Sequence, residues 1–482
     1  MNVRTLAPAA LFIACSSGEA PSPRVSGPGA ADDSDAPADG AGQTTDAGEG
    51  TAVTPTPIRC ADALTDAYTS PENLPALIDA RLGDVVRCAP DQTLNGLTML
   101  ARMRVAGVDG ESSSGATTYR IAYRTRRFDG SATLSSARIF LPITSRSASA
   151  PLLVAAHPTT GVADHCAPSL YETMSDNLVL PAVAHGYAVI APDYAGLGTP
   201  GTHAYLDNSE TGRGVLDAAR ALAKFTGAAP SAPVFVYGHS QGGGAALSAQ
   251  ALAPTYGAGL NVAGVVAFAP GWLTKVDVSG LENTAQSTLT SIGAPATASL
   301  GAPAAFTSLI LYGYFGNRLG ETHRGDGFAA PVRAAMLQLV ESQCIMQLQF
   351  SLPTVAPTFG SLVDATFRQT ALDCAAGRST CAEPGKSYLA MQKANVLTAS
   401  KGGPPVLAIQ GLIDPVVRPS TFRCIADKLT AEGVDTTVCT DSAAEHFTVV
   451  GRNTKTMLDW IDAKVDGRAA PTCASAILPV CL

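Results

Sequence analysis

The sequence predicts an α/β fold: a mostly parallel central sheet with helices on both faces and a helical cap or lid insertion. Three observations carry this. Short, almost continuously apolar runs alternate with segments of helical periodicity, as strands buried on both faces require. Hydrophobic residues make up 46% of the 482 positions and charged ones only 15%, enough apolar surface for a large core. One long stretch, 271–403, breaks the alternation with no strand pattern, too long for a loop in a compact domain.

Residues 1–15 read as a lipoprotein-type signal peptide. Arg4 supplies the n-region and Leu6 to Ala14 the apolar h-region. Phe12-Ile13-Ala14-Cys15 resembles a lipoprotein box in which Cys15 is the lipid attachment site, with Phe12 where Leu is usual. The h-region is too short to span a bilayer, and no later segment offers an uninterrupted uncharged run of sufficient length. Residues 16–57 consist of Ala, Gly, Ser, Thr, Pro and Asp with almost no large apolar side chain. Such a segment cannot offset its ordering entropy and is expected to be a disordered linker.

Residues 58–270 are expected to form the first part of the core. Within it, 62–104 read as helical on Leu64, Leu74, Leu77, Ile78 and Leu82. Tyr119–Thr125 and Ala137–Pro142, around Asp129-Gly130, read as a β-hairpin. Strands are predicted at Leu152–Ala156, Tyr187–Ala191, Val234–Tyr237, Gly264–Ala269, Val406–Gln410 and Thr436–Cys439. Val215, Ala218, Leu222 and Phe225 recur at helical spacing. The insertion 271–403 follows, then the second part of the core and a cysteine-containing tail over 404–482. The insertion's apolar runs, Phe306–Phe315 and Cys344–Phe350, either line an acyl tunnel or form its own core; on the first reading Leu311→Trp would shorten the preferred acyl chain.

The chain holds 11 cysteines. Setting Cys15 aside leaves an even number, with no C-x-x-C pair and no histidine at zinc-finger spacing. Disulfides in an oxidising compartment fit better than metal binding. Proximity suggests Cys374–Cys381, Cys424–Cys439 and Cys473–Cys481, although proximity does not determine connectivity. The expected location is therefore outside the cytoplasm: lipid-anchored to the cell envelope, or secreted. Net charge −8, with no basic stripe, excludes a nucleic-acid surface.

The chemistry concentrates at Gly238-His239-Ser240-Gln241-Gly242. It fits G-x-S-x-G and lies between an apolar strand and a small-residue helix, the context of a nucleophile elbow in an α/β-hydrolase. A serine hydroxyl needs a base within hydrogen-bond reach. Downstream stand only His323, inside the insertion, and His446, after the last strand, so His446 is the expected base. Asp414 follows the strand Val406–Gln410 and is the expected acid; Asp427, Asp435 and Asp441 read as surface charges. The oxyanion donors expected are the N–H of Gln241 and, in the loop His157-Pro158-Thr159-Thr160-Gly161, that of Thr159, since Pro158 has none. The bland reading of that loop is a plain Pro-Thr turn. No metal and no cofactor is called for.

The order of the hairpin, His157 to Ser169, Pro192-Asp193-Tyr194-Ala195-Gly196-Leu197-Gly198, the elbow, the insertion, Asp414 and His446 resembles the secretory lipase family over roughly residues 60 to 465. The resemblance implies an α/β-hydrolase core with a lid inserted before the last strands, and activity on fatty acyl esters. Relatives usually carry Gly where Pro158 stands. Asp193 and Gly196 match a structural turn of the family. The expected function is thus an exported serine hydrolase that cleaves acyl glycerols or other fatty acyl esters through Ser240, His446 and Asp414. It would be a monomer whose partners are a small-molecule or lipid ester and, through Cys15, a membrane. A serine peptidase of the tripeptidyl or prolyl type is the alternative on the same fold. A non-catalytic surface protein is disfavoured because every triad member is present.

Overall fold

The structure, a computed structural model, describes residues 58–110, 113–147, 150–274 and 302–481. The signal segment with Cys15, the linker 16–57, and residues 275–301 of the insertion lie outside them.

Nine described strands form one sheet: β1 (Val85–Asn95), β2 (Gly115–Arg126), β3 (Ala132–Pro142), β4 (Leu152–Ala156), β5 (Ala188–Pro192), β6 (Pro233–His239), β7 (Asn261–Phe268), β8 (Val406–Gly411) and β9 (Thr436–Asp441). Their spatial order is β1-β2-β3-β5-β4-β6-β7-β8-β9. β1 to β3 are antiparallel and dock on β5, while β5, β4, β6, β7, β8 and β9 run parallel. The helices around the sheet are α1 (Gly96–Val105), α2 (Asp176–Ala184), α3 (Asn208–Thr226), α4 (Gln241–Leu252), α11 (Pro419–Ala431) and α12 (Val449–Val465). Between β7 and β8 the described residues form α5 (Ala302–Leu319), α6 (Arg333–Ser342), α7 (Ile345–Val355), α8 (Phe359–Leu362), α9 (Ala365–Ala375) and α10 (Gly385–Ala394).

The all-apolar strands follow from this layering. Leu152, Val154 and Ala156 of β4 face a core shared with α3, α4 and α11, whereas Leu153 and Ala155 face α1, α2 and α12. Neither face meets water, so both parities of each strand must be apolar. Full burial of each Val or Leu here contributes roughly 1.5–3 kcal/mol. α5 to α10 enclose a third cluster of their own, including Leu311, Phe315, Phe328, Leu348, Phe367 and Tyr388, joined from the core by Val162 and Tyr205.

Residues 62–104 are not one helical segment. Short 3-10 turns at Leu64–Tyr68 and Asp79–Arg81 lead into β1, and only α1 is a regular helix. The leucine spacing suited a helix, but Val85–Asn95 pairs with the exposed edge of β2, and Cys60–Cys88 pins its start. Tertiary pairing overrides local propensity here.

Ten cysteines form five bridges: Cys60–Cys88, Cys166–Cys344, Cys374–Cys381, Cys424–Cys481 and Cys439–Cys473. Of the three proximity pairs only Cys374–Cys381 forms. The tail after α12 folds back along β9, with Thr440 N donating to Ala474 O at 2.7 Å. That return places Cys473 beside Cys439 and carries Cys481 on to α11.

Candidate active site

The elbow is built by steric exclusion. β6 runs straight into α4, leaving Ser240 with φ 57° and ψ −116°, a strained conformation for a residue with a side chain. Its N–H donates to Phe268 O at 2.9 Å, and its carbonyl accepts from Gly244 and Gly271. A Cβ on Gly238 would lie 2.3 Å from Gly242 O, and one on Gly242 would lie 1.9 Å from Ala156 O. Both motif glycines are therefore required by backbone approach.

Ser240, His446 and Asp414, 206 and 32 residues apart in sequence, meet in one chain of hydrogen bonds. Ser240 Oγ lies 3.0 Å from His446 Nε2, and His446 Nδ1 lies 2.8 Å from Asp414 Oδ2. A carboxylate only accepts, so Nδ1 carries the hydrogen and Nε2 is left to accept from the serine. Asp414 Oδ1 accepts from the N–H groups of Val416 and Val417 at 2.8 and 2.9 Å. Gln410 Nε2 donates to Asp414 Oδ2 at 3.3 Å and to Val417 O at 2.9 Å. His239 packs its ring 4.6 Å from that of His446. Burial pushes the His239 imidazolium down to about 3, so the ring beside His446 is neutral.

The competing residues stay outside. His323 is exposed and bound to Asp326. Asp427 pairs with Arg423, Asp435 with Lys464, and Asp441 with Arg452.

Gln241 opens α4, and Thr159 lies in the loop after β4; neither backbone N–H is used by a described residue. A run of aromatic rings underlies both. Tyr205 OH bonds Thr159 Oγ1 at 2.7 Å, and Gln241 Nε2 bonds His203 Nε2 at 3.1 Å. Tyr194 stacks against His203, touches the ring of His157 and donates to His157 O. Sequence reasoning missed the contacts of His203, Tyr205, His239 and Gln410; His239 stands at the variable position of the elbow motif, and the other three sit in no spaced motif.

His203 gives a pH prediction. Burial pushes its imidazolium from 6.5 down to about 3. Between those values the unfolded chain binds a proton there that the folded chain does not. Its contribution to stability is therefore full above about pH 6.5 and lost as pH falls toward 3. His203→Phe, which keeps a ring in the stack, is expected to flatten the fall in Tm between about pH 7 and pH 4. Calorimetry at matched ionic strength reads this; an unchanged slope would mean that His203 titrates normally.

Asp193 accepts from Ser136 Oγ at 2.6 Å, from Ser169 N at 2.9 Å and from Ser169 Oγ. Burial pushes its carboxyl up to about 6. With Gly196 at φ 75° it closes a turn below the site. One described group has ligand-like spacing, His165, Cys166 and Cys344, but both sulfurs are spent on a bridge to each other.

Residues 167–298 match the Secretory lipase family. In structure the chain is similar to Candida antarctica lipase A in its closed state, at 19% identity and TM-score 0.63, covering 86% of this chain and 89% of that one. It is also similar to the rice cell wall degrading esterase LipA from Xanthomonas oryzae, at 16% identity and TM-score 0.59, covering 80% and 97%. At such identities these likenesses speak to the fold, which is that of an α/β-hydrolase. No curated protein sequence matches the chain.

Proposed function

We propose that the chain is a carboxylic ester hydrolase of the secretory lipase type, the family that residues 167–298 match, and that it works through an acyl-enzyme on Ser240. The unbroken relay from Ser240 Oγ through His446 to Asp414 is the observation that carries this reading. Ser240 Oγ attacks the ester carbonyl carbon while its proton passes to His446 Nε2. The carbonyl oxygen becomes an oxyanion facing the free N–H groups of Gln241 and Thr159. The intermediate collapses as the C–O bond to the alcohol breaks, and His446 returns the proton to the departing oxygen. Water then attacks the acyl-enzyme with His446 again as base, releasing the acid and restoring Ser240. Asp414 holds the imidazole in the required tautomer and stabilises its charged form.

The substrates of this reading are acyl glycerols or other acyl esters. α5 to α10 act as a cap over the site, fastened to the core by Cys166–Cys344 and by Ile345 N donating to Thr160 O at 2.8 Å. Five bridges and the family agree with an extracellular protein, and no described helix is long and apolar enough to cross a membrane. A lipid on Cys15, with 16–57 as tether, would hold the domain at the cell envelope.

A fluorophosphonate mimics the tetrahedral intermediate and traps an activated serine. The full chain is expected to take up one phosphonate on the peptide containing Ser240, with loss of p-nitrophenyl butyrate hydrolysis in the same proportion. Labelling of another serine, or inactivation without labelling at Ser240, would refute the assignment.

A further inference from the structure

Leu311 does not face the core domain: with Phe315 it is buried in the cluster enclosed by α5 to α10. The stripe of α5 that does face the core is Ile310, Gly313, Tyr314 and Asn317, at spacings of three, one and three. It roofs a cavity of about 100 Å³, closed on one side by Met391, Gln392 and Asn395 of and just after α10. The floor includes Tyr205, Gly271, Trp272 and Val417.

Three of these floor residues touch the site. Gly271 N donates to Ser240 O at 2.8 Å, and a Cβ on Gly271 would lie 3.8 Å from Gln241 N. Tyr205 OH bonds Thr159 Oγ1 at 2.7 Å, and Val417 N donates to Asp414 Oδ1 at 2.9 Å. Two of the three contacts lie at residues next to or carrying the expected oxyanion donors, so the cavity adjoins the site.

Most polar groups of the wall satisfy one another. Arg318 pairs with Asp207, Asn208 with Asn395, and Asn317 donates to Glu210. Gln392 differs. It is 4% exposed, lines the cavity, and its carboxamide makes no hydrogen bond with a described residue. An amide that opens on the cavity with no partner in the described wall can donate to and accept from a polar group of a ligand.

We propose that this cavity receives a short acyl group bearing a hydroxyl or carbonyl oxygen, and that Gln392 binds that oxygen. The inference rests on Ser240 being the acylated residue. Size sets the chain length: an engineered cavity of about 150 Å³ admits benzene, with six heavy atoms, so about 100 Å³ admits roughly four. A sixteen-carbon chain exceeds this volume.

The test uses the full chain and three p-nitrophenyl esters that share one alcohol: butyrate, 3-hydroxybutyrate and palmitate. kcat/KM for butyrate is expected to exceed that for palmitate by on the order of a hundredfold, and the hydroxylated ester to exceed butyrate by about tenfold. Gln392→Leu is expected to bring the hydroxy-to-plain ratio down toward about one, since the hydrogen bond is lost while the volume is kept. Palmitate cleaved as fast as butyrate, or a hydroxyl preference that survives in Gln392→Leu, would overturn the proposal. Should that variant not fold, the two ratios of the unaltered enzyme decide, with Gln392→Glu as second variant: an unchanged ratio there also counts against. An enzyme inactive on all three esters would instead remove the Ser240 reading itself.

Discussion

Ser240→Ala is expected to lower turnover of p-nitrophenyl butyrate by on the order of a millionfold, with Tm unchanged or raised. The size of the loss follows from the geometry. His446 Nε2 makes no other hydrogen bond with a described residue, so without the hydroxyl 3.0 Å away the base has nothing to activate. The oxyanion donors and the binding cavity remain, and they leave a residue of catalysis well above the reaction in water. The stability side follows from the backbone. φ 57° at Ser240 costs on the order of 1–3 kcal/mol, and alanine inherits that cost without adding to it. Matched calorimetry separates a lost nucleophile from a lost fold. Activity within about a hundredfold of the parent would place the nucleophile elsewhere.

Asp414→Asn is expected to cost about 10⁴ in kcat, or roughly 5 kcal/mol of transition-state stabilisation, with KM little changed. An asparagine oxygen still accepts from Val416 and Val417, so the loop keeps its shape. An amide placed where Asp414 Oδ2 stands can offer hydrogens to His446 Nδ1. The imidazole then carries its own hydrogen on Nε2, facing Ser240, where it cannot take the serine's proton. The variant also loses the negative charge that stabilises the imidazolium during acyl transfer. A loss below about tenfold would show that another carboxylate serves as the acid. Asp441 is then the residue to test next, though it is occupied by Arg452 and Asn453.

Much of the fold was legible because its signals are local. A strand buried on both faces must be largely apolar, and Leu152–Ala156 and Val406–Ile409 show this over five and four residues. The elbow was legible because its glycines answer clashes within a few residues and one neighbouring strand. His446 stood out by elimination, since only His323 competed, and Asp414 by its place just past β8. β1 was misread because its partner, β2, lies beyond α1 and the leucine pattern imitates a helix.

The sequence alone determined the alternation of strands and helices from β4 to β7 and over β8 and β9, the serine, histidine and aspartate proposed as the triad, and the even count of cysteines open to pairing. These depend on periodicity, local sterics and the chemistry of single residue types. Only the tertiary structure decided which cysteines pair, since the tail's return along β9 places Cys473 and Cys481 against distant partners. It also decided that Leu311 packs inside the helical segment while Ile310 and Gln392 face the cavity, and that His203 and Tyr205 underlie the oxyanion loop. These depend on which faces meet across long sequence separations, and no local pattern carries that information.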